Sequence, residues 1–446
     1  MVGRILLLGI LWCTAFIVHT APFFNTHEFT LANGLKLVVR EDHRVPLVVS
    51  QIWYKVGASY EHNGSTGISH MLEHMMFRGT PKHPPGQLSR IVAEHGGQQN
   101  AFTGYDYTAF YQQLESSQLE LCFELEADRM RNLNLSLEDF NKEHPVVMEE
   151  RRLRIEDNPV ALAREIFFGS SYLNNPHQHP IIGWMGDIRN LTIDDVRSWY
   201  NTWYAPNNAV LVVVGDVDPE AVLNLAKKYF EPIRPTLIPK LKPRTEPPYV
   251  GEKRIMIELP TEVPYLFLGY NLPAMSEAAE YWEPYALRVL MMALDGGDTS
   301  RFSENLLHGK SVAATISTWY NPFQLFSTQL TVVGAPTKDN SLERLEEAFL
   351  YEINRFHNEL LSEEELNRIK AIAIAEYIYK QDSAIHQAND IGALETAGLS
   401  WQLYDTYVDD LKAITAAQVQ AVAKKYLIPQ RLTIAYVIPT REGITP

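Results

Sequence analysis

Apolar positions recur along the chain with two different periods, and their order sketches a mixed architecture. Asn33-Gly34 between two apolar runs predicts a hairpin, and the run Leu47 to Tyr54, just after Pro46, predicts a strand. A helix is predicted from about Thr66 to Phe77, stopped by Gly79 and Pro81. Two strands, Gln98 to Thr103 and Thr108 to Leu114, should meet at a short turn containing Gly104, and helices should fill Leu119 to Arg131 and Leu137 to Ile155. Beyond the middle of the chain the order repeats. Strands are predicted near Ile255 and Leu266, a helix through Ala286 to Leu294, a hairpin across Asn321-Pro322 and several helices from Leu342 onward. Because strands and helices do not alternate, the expected class is α+β: two structurally similar domains, each an antiparallel-rich mixed sheet covered by helices on one face.

Six prolines fall at 232, 235, 239, 243, 247 and 248, a density that neither a helix nor a central strand tolerates. This predicts a linker over 232–250 between an N-terminal domain, 22–231, and a C-terminal domain, 251–446. Sliding the halves by 223 positions places Leu191-Thr192 on Ile414-Thr415, Val196 on Val419, Trp203 on Tyr426, Pro206 on Pro429 and Leu211 on Ile434. Each of these segments reads as an amphipathic helix, a proline-containing turn and a buried strand, as an internal duplication would leave them.

The first 21 residues carry one basic residue, Arg4, then the apolar run Ile5 to Val18 and small residues at Thr20 and Ala21. This is the layout of a secretory signal peptide and implies an exported, periplasmic or secreted protein. Removing the leader removes Cys13 and leaves Cys122 without an internal disulfide partner. No later stretch is long and apolar enough to span a membrane. With 39 Lys and Arg against 54 Asp and Glu, the net charge of −15 opposes binding to a nucleic-acid backbone. Peptides, small molecules and protein partners remain open.

Chemistry concentrates in the helix after Thr66. Ile68, Met71, Leu72, Met75 and Met76 form the stripe of a core-facing surface, while His70, Glu73, His74 and Phe77 fall on a different face. Two histidines four apart project from neighbouring turns, so both imidazoles can reach one tetrahedral zinc ion. Glu73, between them, is placed to take a proton from a water whose pKa such a metal lowers to about 7. Two nitrogens leave zinc short of the three protein ligands that hydrolytic sites use, so another must come from elsewhere. The Leu137 to Ile155 segment offers Glu143, Glu149 and Glu150. Glu143 and Glu150, seven apart, share a face if the helix persists, whereas Glu149 points about 100° away. Pro145 between them should kink or restart the helix. Periodicity does not choose among these carboxylates, and Glu149-Glu150-Arg151-Arg152 alone reads as a solvated charged face.

His70-Met71-Leu72-Glu73-His74 together with Val146-Val147-Met148-Glu149-Glu150-Arg151-Arg152 resembles the pitrilysin/insulinase-like zinc peptidases. The likeness extends through Leu31 to Leu35, Gly96 to Thr103, Tyr204 to Asn208 and Val214 to Asp216, and it is thin in the second half. It is nearest to the shorter bacterial exported branch related to the mitochondrial processing peptidase β subunit. The resemblance implies one Zn2+ held by His70, His74 and Glu150, with Glu73 as general base and Glu143 supporting a ligand. It also implies that Asn100, Ala101 and Phe102 lie on an edge strand along which a peptide substrate is laid.

The second half departs from that pattern. Relatives with a complete site carry an Arg and, seven residues later, a Tyr that bind the scissile carbonyl and its oxyanion. Here Leu307 and Ala314 stand at those places, and Ser303 to Ser317 contains neither Arg nor Tyr. The resemblance therefore implies an endopeptidase subunit that shares its active site with a homologous partner lacking the zinc motif, in a heterodimer. The other expectation is a non-catalytic subunit that retains zinc as a scaffold.

Overall fold

The computed structural model describes residues 25–242, 244–249 and 251–440; the predicted leader lies outside them. The first sheet contains β1 (Thr26–Thr30), β2 (Lys36–Glu41), β3 (Leu47–Tyr54), β4 (Gln98–Thr103), β5 (Thr108–Glu115) and β6 (Ala209–Gly215), in the order β1-β2-β6-β3-β5-β4. The second contains β7 (Lys253–Leu259), β8 (Tyr265–Leu272), β9 (Ala313–Trp319), β10 (Thr328–Pro336) and β11 (Leu432–Pro439), in the order β7-β11-β8-β10-β9. Neighbouring strands are antiparallel except for β2 with β6 and β7 with β11, which are parallel. This is the α+β arrangement expected from the order of elements.

The 223-residue offset is visible in three dimensions. Thr192 and Thr415 each close a capping box at the start of a helix, and each helix runs into a 3-10 turn opened by Pro206 or Pro429. The strands that follow, β6 and β11, insert at equivalent places in their sheets.

Period two in the central strands explains how both faces of each sheet are covered. On β3, Val48, Ile52 and Tyr54 pack into the core of the first half, while Val49 and Trp53 face the other way. That second face is covered by the Ala384–Thr396 helix of the second half, through Ala388 and Ile391. Gln51 Nε2 also donates to Asn389 Oδ1 there, at 2.9 Å. On β8, Leu266, Leu268, Tyr270 and Leu272 pack on the second half's own helices, and Phe267 meets Phe167 of the Pro159–Ser171 helix. Each half thus donates one helix to the far face of the other's sheet. The sequence reading gave each sheet helices on one face; the donated pair is an addition that joins the halves.

Candidate metal centre

The Ile68–Met75 helix begins after Gly67, whose φ of 88° is open to glycine and whose Cα lies so near Ile182 that a Cβ would sit 2.5 Å from the Ile182 carbonyl. Its free N-terminal amides are met by the buried Glu61, which accepts from Gly67 N at 2.7 Å and Ser69 N at 2.8 Å. Burial pushes the Glu61 carboxyl up to about 7, against the pull of these two amides. Ile68, Met71, Leu72 and Met75 are buried in the first core, as the apolar stripe requires. That fixes the rotation of the helix and turns His70, Glu73 and His74 into a cavity of about 730 Å³.

The second source of carboxylates is the Leu137–Arg151 helix, which runs without interruption through Pro145. The helix does not restart at Pro145: Asn141, whose carbonyl loses its partner there, lies with Pro145 on the exposed side. Glu143 and Glu150 therefore share a face and meet His74 from two sides. His74 Nδ1 lies 3.1 Å from Glu143 Oε2, and His74 Nε2 lies 3.1 Å from Glu150 Oε2. His70 Nε2 is 3.6 Å from the same Glu150 oxygen. The charged tetrad divides: Glu149 and Arg152 pair in solvent, Glu150 points inward, and the buried Arg151 grips Glu165 by two bonds of 2.9 and 2.7 Å. Arg151 thereby ties the ligand-bearing helix to the Pro159–Ser171 helix.

One donor atom from each of His70, His74 and Glu150 lies within 4.8 Å of the others. Burial, and then the neighbouring His74, hold the His70 imidazole down to about 4, which keeps it neutral. The hydrogen bond from His74 holds the Glu150 carboxyl below the ordinary range. Glu143 can accept the Nδ1 proton of His74, and when it does, a metal at the site would take the Nε2 lone pair in place of the proton that Nε2 otherwise shares with Glu150. Two imidazole nitrogens and one ionised carboxylate form the donor set of a three-ligand zinc site, so the residues present fit that ion. Glu73 faces the same cavity; burial pushes its carboxyl above the usual range, and Oε2 accepts from Thr103 Oγ1 at 2.5 Å.

β4 is the edge of the first sheet, and Asn100, Ala101, Phe102 and Thr103 line the cavity. Asn100 Oδ1 accepts from Ala101 N at 2.9 Å, so that amide points away from β5 toward the open edge. The Phe102 ring instead stacks edge-on against Trp53, 5.3 Å between centroids. Three further side chains were not picked out from the sequence: Thr103, Arg78, which pairs with Glu143, and Arg154, which bonds Glu150 Oε1 at 2.8 Å. Only Thr103 carried a signal, standing two places after Ala101 on the same face. Every residue lining the cavity falls between His70 and Ile182. Leu307 and Ala314 are not among them.

A pair of similar sheets, with a candidate three-donor zinc centre and a carboxylate set on one of them, defines a metallopeptidase-like architecture. The chain belongs to the insulinase family of peptidases, M16: residues 36–183 match "Insulinase (Peptidase family M16)" and 190–373 match "Peptidase M16 inactive domain". It is 30% identical over 383 residues to zinc protease PqqE of Helicobacter pylori, spanning 84% of each chain. It is 22% identical over 432 residues to a probable mitochondrial-processing peptidase subunit beta of Arabidopsis thaliana, covering 94% of this chain and 79% of that one. The crystal structure of a protease from Helicobacter pylori superimposes with a TM-score of 0.88 at 27% identity, over 93% of this chain and 100% of that one. The periplasmic protease PqqL from Escherichia coli shares the fold at 18% identity and a TM-score of 0.76, with 93% of this chain matching 47% of that one. Among the described residues no helix is long and apolar enough to cross a membrane.

Proposed function

We propose that the chain is an exported zinc-dependent endopeptidase subunit that hydrolyses peptides or unfolded polypeptides. The observation that carries this reading is the convergence of His70, His74 and Glu150 beside Glu73, at the end of an open edge strand. His70, His74 and Glu150 hold one zinc ion, which when bound supplies Lewis acidity and lowers the pKa of water to about 7. His74 is oriented for that role by Glu143, itself paired with Arg78. An extended peptide pairs with the free edge of β4 near Ala101, displacing the Asn100 side chain from the Ala101 amide. Glu73 takes a proton from the attacking water and passes it to the leaving amine.

The cavity lacks a donor for the oxyanion from the second half, since its lining ends at Ile182. Losing one such donor costs about 100- to 1,000-fold in turnover, which supports a homologous partner that brings the missing Arg and Tyr. Export is supported by the apolar leader and by the likeness to a periplasmic protease. Glu73→Gln tests the enzyme reading, with zinc content and peptide cleavage measured on one preparation. Metal should be retained while cleavage falls about 100- to 10,000-fold. A parent protein that binds zinc and cleaves nothing, with any homologous partner, would instead be a scaffold.

A further inference from the structure

The proline-rich connection between the halves is fastened to the loop that follows the Pro159–Ser171 helix. Glu246 accepts from three successive amides of that loop, Leu173 N at 2.7 Å, Asn174 N at 2.9 Å and Asn175 N at 2.9 Å. Asn174 Nδ2 also donates to the Thr245 carbonyl at 3.0 Å. Three amides on one carboxylate are charge-assisted bonds, so this stretch of the connection is anchored rather than loose. Just before the anchor, the connection supplies Lys240, Lys242 and Arg244 to a cavity of about 630 Å³, which shares Gln178 and His179 as a common wall with the cavity of the metal centre. The edge strand β4 leads toward that wall: two residues past its end, the Tyr105 ring lies 4.2 Å from the His177 ring.

Histidines apart, the charged residues lining this cavity are those three cations and one carboxylate, Glu61, whose two oxygens already accept from Gly67 N and Ser69 N. None of the three cations has an ion pair with a described residue. Lys240 and Lys242 are exposed, whereas Arg244 is half-buried. Its Nη2 lies 3.3 Å from the Glu61 carbonyl oxygen and 3.3 Å from His62 Nδ1, both neutral acceptors, while Nε and Nη1 make no hydrogen bond to a described residue. Burial lowers the Arg244 pKa from its ordinary value, and no carboxylate acts to raise it. A half-buried guanidinium with unused donors and no counter-ion is costly to the protein alone, and an anion that enters the cavity removes that cost.

We propose that this cavity is a subsite for a carboxylate of the peptide substrate, bound by Arg244 with Lys240 and Lys242 completing a positive rim. The inference rests on the peptidase reading above and adds a substrate class to it: peptides with a free C-terminal carboxylate or an acidic side chain in the stretch that passes beyond Gln178 and His179. A peptide that pairs with β4 and continues past Thr103 meets that wall. The net charge of −15 repels acidic peptides, but salt screens it over about 8 to 10 Å, so the local cluster governs how they seat.

Calorimetric titration of the full chain carrying Glu73→Gln, so that bound peptides stay intact, tests the subsite. The reference is an uncharged, C-terminally amidated peptide; its relatives carry either a free C-terminal carboxylate or one Gln→Glu replacement, scanned along the sequence. A carboxylate form should bind about 10- to 100-fold more tightly than the reference. Tighter binding of the free C-terminus assigns the carboxylate to the peptide end, and tighter binding of one glutamate peptide assigns it to a side chain. Arg244→Gln should abolish the preference, whereas a carboxylate held by the metal would keep it. If that variant does not fold, Lys240→Gln with Lys242→Gln, both exposed, should lower the preference severalfold and flatten its dependence on salt. Equal binding of charged and uncharged peptides, no binding of any of them, or an unchanged preference in the folded variants would overturn the proposal. Cleavage by the unsubstituted chain keeps the two readings apart. Cleavage without a charge preference in binding sinks the subsite alone, and charge-selective binding without cleavage beside any homologous partner sinks the peptidase alone.

Discussion

The Ile68–Met75 helix and the Glu283–Asp295 helix each follow a central strand, β3 or β8, that lies between the last strand of its half and the second strand of the β4–β5 or β9–β10 pair. The frames match, yet only one holds a polar centre. In the second half Tyr285, Ala286, Leu287, Val289, Leu290, Met291, Met292, Ala293 and Leu294 are all buried, and the helix carries no histidine and no pair of donors on one face. In the first half the apolar stripe covers one side only, and the opposite side opens on the cavity. The edge strands differ at one contact: Thr103 of β4 donates to the Glu73 carboxylate, which faces the cavity beside the two histidines, whereas Thr318 of β9 meets the Met291 thioether at 3.3 Å and the Asp295 carboxyl at the end of its helix. One sheet architecture thus supports either chemistry or simple packing, depending on which side chains its helix carries.

The most damaging way to break this contrast is to remove a donor from the polar half. Glu150→Ala should strip the metal and lower cleavage by far more than the 10- to 100-fold typical of outer-shell changes, while Glu143→Gln should stay within that range. Metal analysis beside peptide cleavage separates the two. Arg151→Met comes next, because it leaves Glu165 buried and uncompensated. It should cost about 3 to 5 kcal/mol in denaturant unfolding. At the same offset the second half has Ile374 and no such pair.

The donated helices give a paired test, since Gly169 and Gly392 are 223 positions apart. A Cβ at Gly392 would fall 2.1 Å from the Trp53 ring, whereas at Gly169 its nearest neighbour is the Gln178 carbonyl at 3.6 Å. Gly392→Ala should destabilise by about 1 to 3 kcal/mol through overpacking. Gly169→Ala should be stabilising by about 0.5 to 1 kcal/mol, because alanine is the better helix former. Thermal unfolding of the two variants decides whether the halves are joined by equivalent or by unequal contacts.

Local pattern made the helix and strand frame legible, because apolar spacing and caps such as Thr192 and Thr415 act within a few residues. The histidine pair was equally plain, since one turn of helix fixes its geometry. Partners distant in sequence were not. Nothing near Pro159 or Ala384 says that those helices cover the opposite half's sheet, and nothing in Arg151 distinguishes it from the solvated Arg152 beside it. Pro145 does not restart its helix because the carbonyl it frees, on Asn141, lies toward solvent, which only the packed structure decides.

The smallest expected effect concerns the two threonines. The Thr103 hydroxyl stabilises the charged form of Glu73 and so draws its pKa down against the burial that raises it. In Thr103→Val that pull is lost and the Glu73 pKa rises further. A base works only when deprotonated, so the acid limb of the kcat/KM profile should move to higher pH, and cleavage well above that limb should change little. Thr318→Val loses its contact to the Met291 sulfur and its hydrogen bond to the Asp295 carboxyl, neither of which touches Glu73, and should leave the pH profile in place. If both variants shifted the limb alike, Glu73 would not be the titrating base, and the chemical difference between the two helices would have to lie in the metal ligands alone.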